Sequence, residues 1–162
     1  MKYCRPVLLA LVTLQAVICH ADNLCPWINK ATAFGALGTN EDSPSASVSE
    51  ISATVCSFSY HAGNVTYELR ITVEQVKDPQ HTFNAYKTQC GKSGNPLRAI
   101  GNEAVMCPAD KKGQGEQVFG RVRDNVFTIT VSTSAKNDPT MPRDTLIEKA
   151  GLIAEQVSGN LF

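Results

Sequence analysis

Histidine is scarce in this chain of 162 residues, which contains three. His20 belongs to a leader-like N-terminal segment, which leaves His61 and His81 for the rest of the chain. Histidine is the side chain that most often serves as a general base in enzymes. The chain also has no Gly-x-Ser-x-Gly elbow, no phosphate loop and no His-Glu-x-x-His motif. We therefore interpret both histidines as ordinary surface residues and predict that the protein is not an enzyme.

The chain has no excess of either charge. It contains 15 Lys and Arg against 15 Asp and Glu, and loss of Lys2 and Arg5 with a leader leaves 13 against 15. Binding to nucleic acid or to an anionic membrane needs a clustered positive field. The composition therefore predicts that nucleic acid is not a partner.

A long apolar run is also missing. The apolar segment at residues 7–18 is interrupted by Thr13 and Gln15. A helix that spans a bilayer needs ~20 apolar residues, so this segment is too short to be a membrane anchor. We expect no transmembrane segment in the mature chain.

The same segment has the features of a secretory signal peptide at residues 1–21. Basic residues precede the apolar run, and the small residues Cys19 and Ala21 follow it at the positions that signal peptidase requires. Cleavage after Ala21 gives a mature domain at residues 22–162, secreted or periplasmic. Lipidation of Cys19 is the alternative, but Ile18 is a poor residue before a lipidated cysteine.

Cysteine pairs with metal-ligand spacing are absent, since the chain has no Cys-x-x-Cys and no paired histidines. We therefore predict no metal and no cofactor. Four cysteines remain after cleavage, an even number that predicts two disulfides in an exported protein, with three possible connectivities. Pairing of neighbours in the sequence and in the predicted element order gives Cys25–Cys56 and Cys90–Cys107.

The clearest structural pattern is a β-hairpin at residues 117–133. We place its two-residue turn at Asp124-Asn125, a pair that tolerates positive φ. The two faces then differ in polarity, so a slip of one residue would expose every apolar group. The first face carries Val118, Gly120, Val122, Phe127, Ile129 and Val131. The second carries Phe119, Arg121, Arg123, Val126, Thr128 and Thr130.

Three helices are predicted from capping residues and apolar periodicity. Asn29 caps a helix at residues 30–37, and Asp78, followed by proline, caps one that runs to about Cys90. The third runs from near Pro142 to about Gly159 with an apolar stripe. Its core residues are predicted to be Leu146, Ile153 and Val157.

The element order predicts an α+β fold. The order α-β-β-α-β-β-β-α gives an antiparallel sheet of about five strands with helices packed on one face. In this assignment the polar, Ser-rich residues 39–50 are a loop. Residues 97–107 form one strand with a kink at Gly101-Asn102.

Several short motifs resemble a known family. They are Cys-Pro-Trp-Ile at residues 25–28, Ala-Leu-Gly at 36–38, Cys-Ser-Phe at 56–58 and Ala-Ile-Gly-Asn-Glu-Ala-Val at 99–105. Together with the hairpin they resemble a family of small bacterial exported domains of unknown function, many of them actinobacterial lipoproteins. The resemblance covers residues 24–162.

The resemblance implies export, an α+β fold and a disulfide between Cys25 and Cys56. It implies no catalytic activity, because none is attached to the family. Its most specific motif is Gly-Asn-Glu-Ala at residues 101–104, where the family favours Gly-Asp followed by Glu or Ala and then Ala. The chain departs from the family in lacking a lipidation box.

The candidate binding residues lie on the second, outward face of the predicted sheet. They are Arg70, Phe119, Arg121 and Arg123. Such a platform can hold an anionic or aromatic partner. The alternative is that these arginines pair across strands with Glu68 and Glu74 on a solvated surface. The Asn102-Glu103 pair is interpreted as a turn in which Asn102 takes left-handed φ.

Two functional hypotheses follow. The first is a non-catalytic exported domain that binds a protein, glycan or lipid of the cell envelope. The second is a small secreted hydrolase with an unrecognised active site. A cleft with a strongly perturbed acid or histidine would favour the hydrolase. An open sheet face would favour the binding domain.

Overall fold

A computed structural model describes residues 25–110 and 114–162. The predicted cleavage site after Ala21 and the lipidation candidate Cys19 lie outside these residues. The described residues form three helices and seven strands. These are α1 (Lys30–Ala36), β1 (Ala46–Ile51), β2 (Val55–Ala62), β3 (Val65–Gln75), α2 (Pro79–Cys90), β4 (Asn95–Leu97), β5 (Glu103–Pro108), β6 (Gly115–Val122), β7 (Asn125–Thr133) and α3 (Arg143–Asn160), with a 3-10 turn at Gly91–Ser93.

The strands form one antiparallel sheet in the order β1-β2-β3-β7-β6-β5-β4. The fold is therefore α+β, as predicted, with the order α-βββ-α-ββββ-α. Two meanders build the sheet, β1 to β3 and β4 to β7. They join where β7 pairs with β3 along nine residues, from Tyr67↔Thr133 to Gln75↔Asn125.

The prediction of about five strands was wrong because it missed both edge strands. β1 lies in the Ser-rich segment that was assigned to a loop, and none of its residues is buried. A strand that buries neither face shows no apolar alternation, which is the signal used to find strands. β4 has three residues and includes Pro96, a residue that sheets tolerate at an edge. It is separate from β5, so the predicted single strand at residues 97–107 was also wrong.

The hairpin of β6 and β7 has the predicted faces but a different turn. Val122 pairs with Asn125, and Val118 pairs with Ile129, so the turn residues are Arg123 and Asp124. Arg123 takes the positive φ, at 52°. The predicted register was off by two residues. Since side chains alternate with a period of two, this error leaves every side chain on its predicted face.

The first face of the sheet packs against α1 and α3. The predicted core residues Leu146, Ile153 and Val157 are buried there. Gly120 is required at this face, because a Cβ atom would overlap the ring of Phe127 on the neighbouring strand. The prediction that Leu146, Ile153 and Val157 are core residues of the C-terminal helix is confirmed.

Helix α2 packs against the second face, so the prediction of helices on one face was wrong. Phe83 and Cys90 of α2 form a separate buried cluster with Val105, Cys107 and Phe119. These strand residues alternate with the side chains of the main core. A sheet with apolar side chains on both faces needs a cover on each, which α2 provides over β5, β6 and β7.

The helix caps are those predicted from the sequence. The Asn29 side chain accepts a hydrogen bond from the Thr32 N–H at 2.7 Å, and the Asp78 side chain accepts one from the His81 N–H at 2.9 Å. Each bond satisfies a backbone donor that the first helical turn leaves without a partner.

Both predicted disulfides are present. Cys25 bonds to Cys56 with their Cα atoms 5.8 Å apart, and Cys90 bonds to Cys107 with their Cα atoms 5.6 Å apart. The first joins the segment before α1 to β2, and the second joins the end of α2 to β5. Disulfides persist in oxidising compartments, so the pair indicates an extracytoplasmic environment. No helix within the described residues is long and apolar enough to cross a membrane.

Candidate functional site

The four predicted binding residues do not form one surface. Arg70 on β3 pairs with Thr130 on β7, which in turn pairs with Gln117 on β6, four residues from Arg121. With strands ~4.8 Å apart and a rise of ~3.3 Å per residue, Arg70 and Arg121 are separated by roughly 10 Å across the sheet and 13 Å along it. Helix α2 covers the strands on the Arg121 side.

Phe119 is part of the core under α2 and is 3% exposed. Its ring stacks on that of Tyr86 with the centroids 4.7 Å apart. Burial of the Tyr86 ring between α2 and the sheet raises the pKa of Tyr86, and the charge of Glu74 raises it further. An aromatic side chain that already stacks in a buried cluster has no free face for a ligand, so Phe119 contributes packing here.

Arg121 pairs with Glu103 of β5. Its Nη2 donates to Glu103 Oε1 at 3.0 Å, and Gln80 of α2 donates to Glu103 Oε2 at 3.4 Å. The Arg121 side chain is 19% exposed, and its buried Nε has no hydrogen-bond partner within the described chain. The guanidinium therefore neutralises Glu103 at the edge of α2. Arg121 does form an ion pair across strands, but the predicted partners Glu68 and Glu74 were wrong, since the partner is Glu103.

Arg123 lies in the β6–β7 turn and is exposed. Its backbone N–H donates to Asn102 Oδ1 at 2.8 Å, and its guanidinium carbon lies 5.8 Å from the centroid of the Phe162 ring. The left-handed residues before β5 are Ala99 and Gly101, at φ 62° and 60°. The prediction of left-handed φ at Asn102 was wrong, and this side chain instead holds the turn.

Arg70 lies on the half of the second face that α2 leaves bare. Its Nη1 donates to Glu50 Oε2 and to Ser57 Oγ, both at 3.2 Å. The side chain is 52% exposed, so this ion pair is in contact with water. The sequence failed to identify Glu50 as its partner because Glu50 belongs to the edge strand that was assigned to a loop.

We call this bare region of β1, β2 and β3 the open face. Its side chains are polar, and most of them carry hydroxyl groups. The open face consists of Ser47, Ser49, Glu50, Ser57, Ser59, His61, Thr66, Glu68 and Arg70. A shallow depression of about 340 Å³ lies over its central part.

Short hydrogen bonds link neighbouring strands on the open face. Ser47 Oγ and Ser59 Oγ are 2.8 Å apart, and His61 Nδ1 lies 3.0 Å from Thr66 Oγ1. In both contacts the two residues lie directly opposite each other on neighbouring strands. Such cross-strand pairs fix the positions of polar groups on an exposed sheet.

Two buried acids lie on the other side of the molecule, where α3 begins. Glu116 on β6 is almost fully buried, and Arg143 Nε donates to Glu116 Oε1 at 2.7 Å. This contact raises the pKa of Arg143, with the charge of Glu116 acting in the same direction and burial opposing it. A signal was present in the sequence, since Glu116 alternates with Val118 on the apolar face of the hairpin.

Asp138, in the loop before α3, accepts hydrogen bonds from Thr133 Oγ1 at 3.0 Å and from the Thr140 N–H at 2.8 Å. Tyr67 donates a third from β3. Burial raises the pKa of Asp138, but these donors outweigh it and hold the pKa below its ordinary value. Burial of Tyr67 raises the pKa of its hydroxyl, and the hydrogen bond to Asp138 raises it further. Asp138 therefore holds the loop onto the sheet as an ionised acceptor.

Residues 25–110 and 114–162 contain no group of three or more His, Cys, Asp or Glu that could hold a metal ion. His81 is in the first turn of α2 and His61 is at the end of β2, both exposed. Within residues 25–110 and 114–162, neither histidine is hydrogen-bonded to Glu116 or Asp138.

No protein-family model, curated protein or solved structure matches the chain. The resemblance to exported bacterial domains therefore stays a prediction, and the geometry of the described residues carries the functional argument.

Proposed function

We propose that the protein is a non-catalytic binding domain, exported after cleavage at Ala21, that contacts an envelope or extracellular partner through its open face. The observation that carries the proposal is the uneven cover of the sheet's second face. Helix α2 packs over β5, β6 and β7, while the polar side chains of β1, β2 and β3 on this face are exposed or half-buried. The two disulfides support a location outside the cytoplasm.

The contacts of the open face favour binding over hydrolysis. In nucleophilic hydrolases the catalytic histidine accepts from the nucleophile, and a third group, most often a carboxylate, orients it. His61 Nδ1 contacts Thr66 Oγ1 in place of a carboxylate. The two buried acids lie away from the open face. Glu116 is on the first face of the sheet and pairs with Arg143, and Asp138 is in the loop before α3 and accepts from Thr133. The hydrolase hypothesis thus gains no support from the arrangement.

Capture from extracts of the producing cells' envelope tests this proposal. Wild type and Arg70→Ser are immobilised, and the bound material is compared after washing. We expect Arg70→Ser to lose most of the captured material, because Arg70 is the central cation of the open face. Arg98→Ser is the matched control, since Arg98 is exposed at the opposite edge of the sheet. Arg123→Ser tests whether the turn arginine contributes. Equal capture by wild type and Arg70→Ser would contradict the proposal.

A further inference from the structure

We propose that the open face binds a neutral, hydroxyl-rich polysaccharide that lies across the strands. This inference rests on the proposed function and names the chemical class of its ligand. It follows from the functional groups that the open face presents, from their charge balance and from the position of the exposed apolar residues.

The functional groups of the open face match those of a sugar. Ser and Thr hydroxyls both donate and accept hydrogen bonds, as sugar hydroxyls do. The Ser47–Ser59 and His61–Thr66 contacts are exposed, so a sugar hydroxyl can exchange with either partner. Arg70 makes its contacts within the described chain through Nη1. Its planar guanidinium carries further donors that suit adjacent hydroxyls on one sugar ring.

Charge on the open face argues for a neutral ligand. Arg70 is paired with Glu50, and Glu68 adds a second, exposed carboxylate. An anionic polymer would meet two carboxylates and one arginine that is already neutralised. A strongly cationic ligand would meet one carboxylate outside this ion pair, that of Glu68. A neutral ligand carries no charge that either sign would repel.

The apolar residues point away from a protein or lipid partner. Protein interfaces are anchored by buried aromatic and large apolar side chains, and membrane binding needs apolar or basic groups. Within the described chain, the exposed large apolar side chains are Val48, Leu152 and Phe162. Val48 pairs with Phe58 and so shares the first face, while Leu152 is on α3 and Phe162 ends the chain. The open face has none of these anchors.

Strand pairing arranges the polar groups in rows across the sheet. One row runs from Ser47 through Ser59 and Glu68 to Ser132, and the next runs from Glu50 through Ser57 and Arg70 to Thr130. Neighbouring members of a row are ~4.8 Å apart, the spacing between strands and close to the length of one sugar ring. A polysaccharide that crosses the strands therefore meets a polar side chain at each sugar.

Affinity electrophoresis tests the assignment. Native gels contain one of four neutral polysaccharides, namely dextran, mixed-linkage β-glucan, xylan or galactomannan, and parallel gels contain polygalacturonate or dextran sulfate. We expect at least one neutral polymer to retard the wild-type protein. The dissociation constant should change less than about twofold between low and high salt, because no ion pair forms with the ligand.

The variants separate a specific site from general adhesion. Ser57→Ala with Ser59→Ala removes two hydroxyls from adjacent rows and should weaken retardation by about fivefold or more. Thr88→Ala is the matched control, because it removes a hydroxyl from α2, outside the open face. Thermal unfolding of each variant within a few degrees of wild type shows that the fold is retained.

The outcomes distinguish this inference from the proposed function. Retardation only by the charged polymers, retardation by none of the four neutral polymers, or equal retardation of wild type and the double variant overturns the polysaccharide assignment. In those cases loss of envelope capture by Arg70→Ser would still support binding through the open face. If capture is also unaffected by Arg70→Ser, the proposed function fails as well.

Discussion

At the scale of single residues, buried charges mark where the chain is most sensitive to change. Glu116 and Asp138 are both acids buried near the start of α3, and each has a defined partner set. A buried carboxylate is tolerated when donors replace the water it has lost. The contacts of Asp138 join the loop at residues 134–142 to strands β3 and β7.

We predict that Asp138→Asn destabilises the protein and changes its response to acid. The substitution weakens the hydrogen bonds that the buried Asp138 carboxylate accepts, which costs about 1–3 kcal/mol. Because the folded-state pKa of Asp138 is below its unfolded value, its ionisation stabilises the fold above the unfolded pKa of 3.8, and this stabilisation is lost as pH falls through the folded pKa. Urea unfolding at a series of pH values from 7 to about 2 measures both effects.

In this experiment the difference between wild type and Asp138→Asn should be largest near neutral pH and shrink as the pH drops below about 3.8. Asp110→Asn is unsuitable as a control, because the Asp110 carboxylate also accepts a hydrogen bond, from the Gln114 N–H. Asp144→Asn, at the exposed start of α3, serves instead. A constant difference between wild type and Asp138→Asn at all pH values would show that the pKa of Asp138 is the same in the folded and the unfolded chain, which would contradict the prediction.

At the scale of elements, α3 and α2 divide the two faces of the sheet between them. α3 presents a continuous apolar stripe and covers the larger core. α2 presents few apolar side chains, and its contacts with the sheet are the buried Phe83, the Cys90–Cys107 bond and the Tyr86–Phe119 stack. The bare part of the second face is a consequence of the short reach of α2.

Two adjacent residues of α3 test its packing. Ile153 is 2% exposed and Leu152 is 52% exposed. We predict that Ile153→Ala lowers the free energy of unfolding by roughly 2–5 kcal/mol, because it leaves a cavity in the core. Leu152→Ala, the matched control, should change it by no more than about 0.5 kcal/mol. Chemical denaturation of the two variants measures the difference, and similar values for both would contradict the packing of α3.

At the scale of the whole molecule, export and disulfide formation are linked. The four bonded cysteines indicate an oxidising compartment, and we propose that residues 1–21 act as the signal peptide that directs the chain to it. In the chain-entropy model the two disulfides close loops of 31 and 17 residues and stabilise the fold by about 3–4 kcal/mol each. The reduced chain would lose much of a typical stability of ~5–15 kcal/mol.

We predict that the exported protein begins at Asp22. The small residues Cys19 and Ala21 after the apolar run place the cleavage there. Intact-mass measurement of the protein recovered outside the cytoplasm checks the first residue. Reduction should then increase the mass by four hydrogens, two for each disulfide. A lipid-modified Cys19 at the N-terminus would make the protein a membrane-anchored lipoprotein instead.

The sequence by itself determined the features that depend on local chemistry. Alternation of apolar residues assigned the faces of the β6–β7 hairpin, and Asn29 and Asp78 marked the starts of two helices. The apolar stripe of α3 and the even number of cysteines in residues 22–162 were equally direct. Each of these is set by residues a few positions apart, where side-chain period and capping geometry leave few alternatives.

Only the tertiary structure decided how these pieces meet. The pairing of β7 with β3, the cover of the second face by α2, and the partners of Arg70 and Arg121 all join residues far apart in the sequence. Edge strands β1 and β4 form because a neighbouring strand offers them hydrogen bonds, and their own side chains bury little. For the same reason the open face became visible only with the fold, since it is defined by where α2 does not reach.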